Sequence, residues 1–492
     1  MTETAKKKRG MPSSFTILLA LLAIVAVITV IVSGTSGGEV TAARLSDFCT
    51  APVKGFADAL PVCLFVMILG GFLGMMTETG ALDNGIAVLV QKLKGNEIML
   101  VPVLMLIFSL GGTTYGMCEE TVPFYALLAA TMMAAGFDPM VGAATVLLGA
   151  GCGCLGSTVN PFAVGAAVDA LTGVDIAVNQ SIIIGLGAVL WLVTTVMSIV
   201  FVMNYAKKVK ADKGSTILSM QELKDAEEAH GKAASEVHKE VKLTGRQKGV
   251  LIAFAFTFVV MIVGFIPLAD LNEGVANFFD AGAVYDADGN AVVQGWSALI
   301  TGLPIGQWYF DEASTWFFLM AVLIGIIGGL SEKQIVNTFI TGAADMMSVV
   351  LVIALARGIS VLMASTGLDV YVLDAAANAL AGLSGVIFAP MSFLVYFGLS
   401  FLIPSTSGMA TVSMPIMGPL AVKLGFSPEV MVMIFSAAIG VVNLFTPTSG
   451  AIMGGLALAK IEWTTWLKFA LKLIVALSVV CAVILTIACV ML

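Results

Sequence analysis

Charge is what this 492-residue sequence has least of: 11% of its residues are Asp, Glu, Lys or Arg, against about 25% in an ordinary soluble domain. With 59% apolar residues and a mean hydropathy of +1.01, it carries more apolar surface than a water-soluble core can hide. The apolar runs of about 20 residues have the length a helix needs to cross hydrocarbon, and the short alternating segments of a membrane barrel are missing. Histidine is scarcer still. His230 and His238 both lie in a charged stretch, which excludes a histidine proton relay inside the membrane. The seven cysteines (Cys49, Cys63, Cys118, Cys152, Cys154, Cys481 and Cys489) are scattered, and their odd number offers no disulfide framework. Cys152 and Cys154 stand one residue apart without partners at metal-ligand spacing, so neither a metal nor a cofactor is expected. No nucleophile constellation is visible, so the chain does not read as an enzyme, and nothing suggests a nucleic-acid partner.

The few basic residues report topology. Lys6, Lys7, Lys8 and Arg9, with ten more between Lys207 and Lys248, account for 14 of the 24, and both stretches read as cytoplasmic by the positive-inside rule. The N-terminal apolar run, residues 15–32, is long enough to span and lacks a convincing cleavage site, so an uncleaved first helix is expected. A loop after residue 267 has no Lys or Arg and carries Asp270, Glu273, Asp280, Asp286, Asp288, Asp311 and Glu312; it belongs outside. Lys92 and Lys94, in an amphipathic segment over residues 80–96, suit the cytoplasmic interface.

Self-comparison divides the rest in two. At a constant offset of 287 residues Gly55-Phe-Ala-Asp58 matches Gly342-Ala-Ala-Asp345, Gly71 matches Gly358, and Thr79-Gly80 matches Thr366-Gly367. After a small insertion, Gly116-Met117 with Pro123 matches Gly408-Met409 with Pro415, Gly136-Phe-Asp-Pro139 echoes Gly425-Phe-Ser-Pro428, and Asn160-Pro161 echoes Asn443 to Pro447. The first unit begins outside and the second inside, so the repeats are inverted. The expected fold is an all-α polytopic membrane protein with two inverted repeats, each holding a re-entrant hairpin of two half-length helices and a broken transmembrane helix, nine crossings in all. Its segments are a cytoplasmic tail and first helix (1–45), repeat 1 (46–203), a cytoplasmic linker (204–248), two helices with the external loop (249–332) and repeat 2 (333–492).

Irregular backbone at membrane depth is tolerated only where protein buries it or it lines a wet cavity. Four polar interruptions therefore mark the expected substrate or ion site: Thr113 and Thr114 beside Tyr115, Ser157 with Thr158 and Asn160, Ser405 with Thr406 and Ser407, and Asn443 with Thr446, Thr448 and Ser449. Their oxygens and helix ends can meet a dehydrated cation or a carboxylate; the bland reading is that they patch kinks and pack helices. Glu119 and Glu120 are acids within an apolar hairpin, where an unpaired carboxylate costs on the order of 3 kcal/mol. A cationic substrate, a proton or an internal partner must compensate them, and either glutamate fits that role. Their counterparts Thr411 and Val412 are uncharged, so the acids break the repeat. Arg357, whose counterpart is Gly70, reads as a structural counter-ion for an acid such as Asp345 or Glu119, or as a grip for a substrate carboxylate.

The motifs Gly116-Met-Cys-Glu-Glu120, Ala356-Arg-Gly-Ile359, Pro404-Ser-Thr-Ser-Gly408, Met414-Pro-Ile-Met-Gly-Pro-Leu420 and Asn443-Leu-Phe-Thr-Pro-Thr-Ser-Gly450 resemble the YfcC-type branch of the anaerobic C4-dicarboxylate carrier family, in the ion transporter superfamily. The resemblance implies a secondary transporter of the prokaryotic cytoplasmic membrane, commonly a homodimer, in which a mobile domain works against a scaffold by alternating access. It tilts the substrate toward a basic amino acid exchanged in the arginine/ornithine manner, because the paired acids match a Gly-Met-x-Glu-Glu pattern; Cys118 stands where the pattern has Ala. A dicarboxylate or other carboxylate taken up with Na+ or H+ is the alternative, and a channel is the reading from another class.

Overall fold

The computed structural model describes residues 14–236, 242–266, 268–271, 273–286 and 291–492, except 83, 86, 87 and 89–95. Lys6, Lys7, Lys8, Arg9, Lys92, Lys94, His238 and Asp288 lie outside the described residues. A first helix, α1 (Ser14–Ser33), leads into α2 (Leu45–Asp58), α3 (Leu60–Glu78), α4 (Leu100–Tyr115), α5 (Val122–Ala134), α6 (Pro139–Leu155), α7 (Ala166–Thr172) and α8 (Gln180–Ala211). The connecting part holds α9 (Met220–Glu236), α10 (Gly245–Phe265) and α11 (Phe310–Gly328). Then the order of the first set returns as α12 (Glu332–Asp345), α13 (Met347–Thr366), α14 (Leu368–Leu380), α15 (Gly385–Leu402), α16 (Thr406–Lys423), α17 (Pro428–Val442), α18 (Gly450–Leu458) and α19 (Trp463–Met491). The fold is helical with one exception: in the loop before α11, strand β1 (Val284–Tyr285) pairs antiparallel with β2 (Ala291–Val293), a small hairpin that the all-α expectation omits.

Two related contacts hold the halves together. Helices already inside lipid gain little from burying apolar surface against one another, so close backbone approach decides where they cross. Gly55 of α2 lies so near the backbone of Gly358 in α13 that a Cβ would strike it, and the repeat mates Gly342 and Gly71 make the same approach between α12 and α3. Between these crossings the Cys63 thiol points at the carbonyl of Val350, 3.8 Å away and 287 residues on, so residue and repeat mate face each other across the pseudo-twofold axis. The broken helices repeat the pattern, with Gly151 of α6 against Leu444 and Gly440 of α17 against Leu155.

The packing separates into two groups of helices. One comprises α1, α2, α3, α10, α11, α12 and α13, with α2 on α13, α12 on α3, and α11 between α3 and α10. In it, Phe72 contacts Phe254, Phe258 and Phe317. The other is built on α6 and α17, which pack on each other and carry α4, α5, α8, α15, α16, α18 and α19. We call these the frame and the hairpin group. A separate apolar cluster of Ala59, Cys63, Val66, Met346, Val349, Val350 and Ile353 from the frame meets Val122 and Ala451 from the hairpin group.

Among the described residues nine helices are long and apolar enough to cross a membrane. The number agrees with the crossings expected, but the membership differs. Two of the nine are the first hairpin arms, the segment Glu97–Tyr115 and α15, whereas α6 and α17 are shorter, at 17 and 15 residues. The arms are therefore not all half-length. α5 is, at 13 residues or about 20 Å, but α16 runs 18 residues through Pro415 and Pro419.

The connector is not simply a solvated linker. Leu218, Glu222, Ala226 and His230 recur every four residues and are buried, against α5 and the turn after α18. Glu222 accepts the amide of Glu462 at 2.9 Å, and His230 Nε2 lies 3.0 Å from the carbonyl of Leu458. Near its start, Thr216 and Tyr205 both donate to Asp138, the N-cap of α6, at 2.6 Å.

Gly55→Val and Gly342→Val should each lower the thermal midpoint of detergent-purified protein by several degrees, since overpacking costs about 1–3 kcal/mol; an unchanged midpoint would show that these crossings can open at no cost. Burial, with Lys460 nearby, holds the His230 imidazole below its ordinary 6.5 despite the Leu458 carbonyl. The undocked α9 thus binds the proton more readily, and docking weakens as pH falls below about 6.5. Protection of α9 against hydrogen exchange, corrected for the pH dependence of the intrinsic rate, should fall between pH 7 and 5.5, and His230→Gln should flatten that dependence.

Candidate functional site

All four interruptions converge. The tips of the hairpins (116–121 and 403–407) and the breaks (156–160 and 443–449) surround a cavity of about 170 Å³, closed on the frame side by Ala59, Val62, Phe310, Ile353, Ala356 and Arg357. At about 30 Å³ per liquid water, that is room for roughly half a dozen waters or one amino-acid-sized solute. Helices begin at the cavity in three places: Ser405 caps α16 by accepting the amide of Gly408, Asn160 accepts the amide of Phe162, and Ser449 precedes α18 without a side-chain cap bond. Each start presents amide N–H groups and a partial positive charge. The structure pairs Asn160 with Ser449, the residues from which both helices restart, rather than with Asn443 as the motif echo suggested; the repeat is kept at the cap, where backbone donors need a partner.

The expected site residues divide into two sets. Glu119, Glu120, Asn160, Ser405, Thr406, Ser407, Asn443, Thr448, Ser449 and Arg357 line the cavity. Thr113, Thr114, Ser157, Thr158 and Thr446 do not line it. Thr113 donates to the carbonyl of Gly156 at 3.1 Å while its own carbonyl accepts the amide and hydroxyl of Thr158. Ser157 donates to Cys154 O and accepts from Asn160, Thr114 folds back onto Leu110 O, and Thr446 bonds Thr448. These hydroxyls are the patches that a broken helix needs. Break two is patched differently: the indoles of Trp463 and Trp466 donate to the carbonyls of Phe445 and Leu444, which the sequence signals only as two tryptophans three residues apart beyond the break.

The charges are not where the sequence alone suggested. Arg357 pairs with Asp58, Nε to Oδ2 at 3.0 Å, and not with Asp345, which is exposed at the end of α12. Asp58 and Asp345 are repeat mates, and the acid that reaches the arginine is the one in the first repeat; α2 packs on α13, which brings Asp58 to it. The two glutamates also separate. Glu120 is 2% exposed and accepts the amide of Cys118 at 3.0 Å, closing the hairpin turn. Glu119 is only half-buried in the cavity wall. With Arg357 engaged by Asp58, the two carboxyl groups of the lining have no cationic side chain of the cavity wall to themselves. Tyr125, Phe162 and Phe310 complete the wall, Phe162 stacking on Phe310 at 5.2 Å between centroids; one apolar aromatic among many gives no sequence signal of such a place.

Residues 38–490 match the family model of the C4-dicarboxylate anaerobic carriers, DcuC. The chain belongs to that family. The carrier is thus a multi-pass membrane transporter of a small molecule. It is 28% identical over 445 residues to an uncharacterized protein of Haemophilus influenzae Rd, covering 90% of this chain and 78% of that one. Over 440 residues it is 27% identical to the Escherichia coli K12 protein named "Putative basic amino acid antiporter YfcC", covering 87% and 77%. Among solved structures it is similar to Neisseria gonorrhoeae MtrF, of a class of antimetabolite efflux pumps (TM-score 0.46, 18% identity, 98% of this chain and 96% of that one), and to the Alcanivorax borkumensis YdaH transporter (TM-score 0.46, 15% identity, 97% and 98%).

Cys118 is half-buried in the carrier's cavity wall, next to the glutamates. An excess of negative charge in a cleft raises the local concentration of cations by tenfold or more. A cationic methanethiosulfonate should therefore modify Cys118 roughly ten times faster, relative to its rate with a free thiol, than an anionic one, with Cys118→Ser as the blank. Equal relative rates would mean that the cavity holds no net charge.

Proposed function

We propose that the carrier exchanges basic amino acids across the cytoplasmic membrane by alternating access, with Glu119 meeting the cationic side chain. The charge balance of the cavity carries this reading: two carboxylates line it, and the one guanidinium among its lining residues is bonded to Asp58. A cationic substrate supplies the missing positive charge, which a dicarboxylate does not. Its α-carboxylate fits the helix starts at Ser405 and Ser449, where amide groups face the cavity. Glu120, bonded to the Cys118 amide, holds the turn that aims Glu119. The name of the Escherichia coli relative supports the same substrate class. In this reading the basic N-terminal tail and the α9 connector face the cytoplasm, the loop with β1 and β2 faces outward, and two copies form a dimer.

The helix starts and Arg357 also suit a carboxylate taken up with Na+ or H+, the second reading, which the family's description favours. The test is uptake of labelled arginine into proteoliposomes preloaded with ornithine, arginine, succinate or nothing. Exchange driven only by internal basic amino acid is expected. Glu119→Gln should lower arginine kcat/KM roughly 10- to 100-fold, the worth of a charge-assisted bond, and Glu120→Gln should lower the thermal midpoint as well. Absence of arginine flux, with succinate flux that survives Glu119→Gln, would return the protein to the carboxylate carriers.

A further inference from the structure

Of the three cavity charges that depart from the repeat, Glu120 is held by the Cys118 amide; the other two are Arg357 and Glu119, whose mates are Gly70 and Thr411. Neither is needed to build its half, because the other half is built without it. They also belong to different bodies: Arg357 projects from α13 of the frame, Glu119 from the first hairpin. The link that keeps Arg357 on Asp58 is a single Nε–Oδ2 contact whose side chains are 25% and 53% exposed. An ion pair with one partner more than half exposed contributes little to stability. Arg357 also lies over the start of α16, its Nη1 at 3.8 Å from where a Cβ on Gly408 would stand, and so reaches the cavity from the frame.

We propose that Arg357 is a charge gate that makes exchange obligatory, an inference that rests on the cationic-substrate reading above. While a cationic substrate occupies the cavity, Glu119 has its partner and Arg357 stays on Asp58, so no ion pair ties the hairpin group to the frame. When the cavity empties, Glu119 is left without a partner at membrane depth and draws Arg357 from Asp58. The new pair joins the hairpin group to the frame, and the empty carrier does not cross. Only a second cation, arriving from the same side, releases it. Asp58 is the partner of the gate in the loaded carrier, and Glu119 its partner in the empty, locked one.

The test compares two fluxes of labelled arginine from proteoliposomes, into buffer containing unlabelled arginine and into buffer without substrate. For the wild type we expect the exchange flux to exceed the net flux by at least tenfold. In Arg357→Gln the ratio should fall toward one, because the net flux rises, whereas Arg357→Lys should retain much of it. Asp58→Asn, which removes the partner in the loaded carrier, should instead raise the KM for exchange severalfold. A ratio unchanged in Arg357→Gln, with arginine still carried, overturns the gate. So does loss of arginine binding in that variant, read as a vanished arginine-dependent thermal shift, because Arg357 would then be a substrate ligand. If Arg357→Gln cannot be purified, an Asp58→Asn protein with unaltered KM overturns it equally. Failure of the wild type to carry any basic amino acid sinks the substrate reading instead, and that is measured before any variant is made.

Discussion

A peptide group inside a bilayer has no water to bond, and the rest of this structure follows from how that demand is met wherever a helix stops. Break one is closed by side chains of its own repeat, with Thr113 reaching the carbonyl of Gly156 and Asn160 bonded to both Ser157 and the amide of Phe162. Break two is closed by the indoles of Trp463 and Trp466 from α19, the last helix of its repeat. In each case most of the polar atoms that make a break possible are spent on keeping it intact. Those left facing the cavity are few, and they include the three helix starts.

The same demand explains why the cavity lies between two groups of helices. A break must be covered by protein on all sides, and α6 and α17 cover each other through Gly151, Leu444, Gly440 and Leu155. The group they carry meets the frame through Val122 of α5 and Ala451 of α18, across a cluster of Val, Ala, Met and Ile side chains with little polar content. Such an interface has few directional bonds to lose when one group shifts against the other, which suits the alternating access proposed for this carrier. The polar connector α9 fastens to the hairpin group, through Glu222 and His230.

Most of the architecture was legible in the sequence because it is written in residues with strong backbone consequences. Gly55, Gly71, Gly342 and Gly358 mark the crossings, Pro139 and Pro428 mark helix starts, and Asn160-Pro161 marks a break. The small strand pair before α11 was not, since its residues carry no alternating pattern long enough to see. At the site, position could be read but orientation could not. Thr113 and Thr406 sit in equivalent-looking polar clusters, yet one is bonded inside the protein to the carbonyl of Gly156 and the other lines the cavity, a difference set by the rotation of each helix end. The partner of Arg357 was missed for a similar reason: Asp58 and Asp345 are alike in sequence, and only the crossing of α2 with α13 makes one of them adjacent.

The departures from symmetry are the more informative part. A duplicated fold needs the features that both halves keep, and those prove to be caps, crossings and breaks. Charge is not among them: Glu119 and Glu120 face Thr411 and Val412 in the repeat, and Arg357 faces Gly70. The three come together on one cavity, although they arise from segments more than 200 residues apart. Requirements of folding do not account for that, because the uncharged half satisfies them. Of the three, Glu120 has a local bond to the Cys118 amide and Arg357 a local bond to Asp58. Glu119 alone presents its carboxylate, half-buried, to the open volume. A half-buried carboxylate at membrane depth favours a cationic partner, and the proposed substrate class rests on that position more than on any motif.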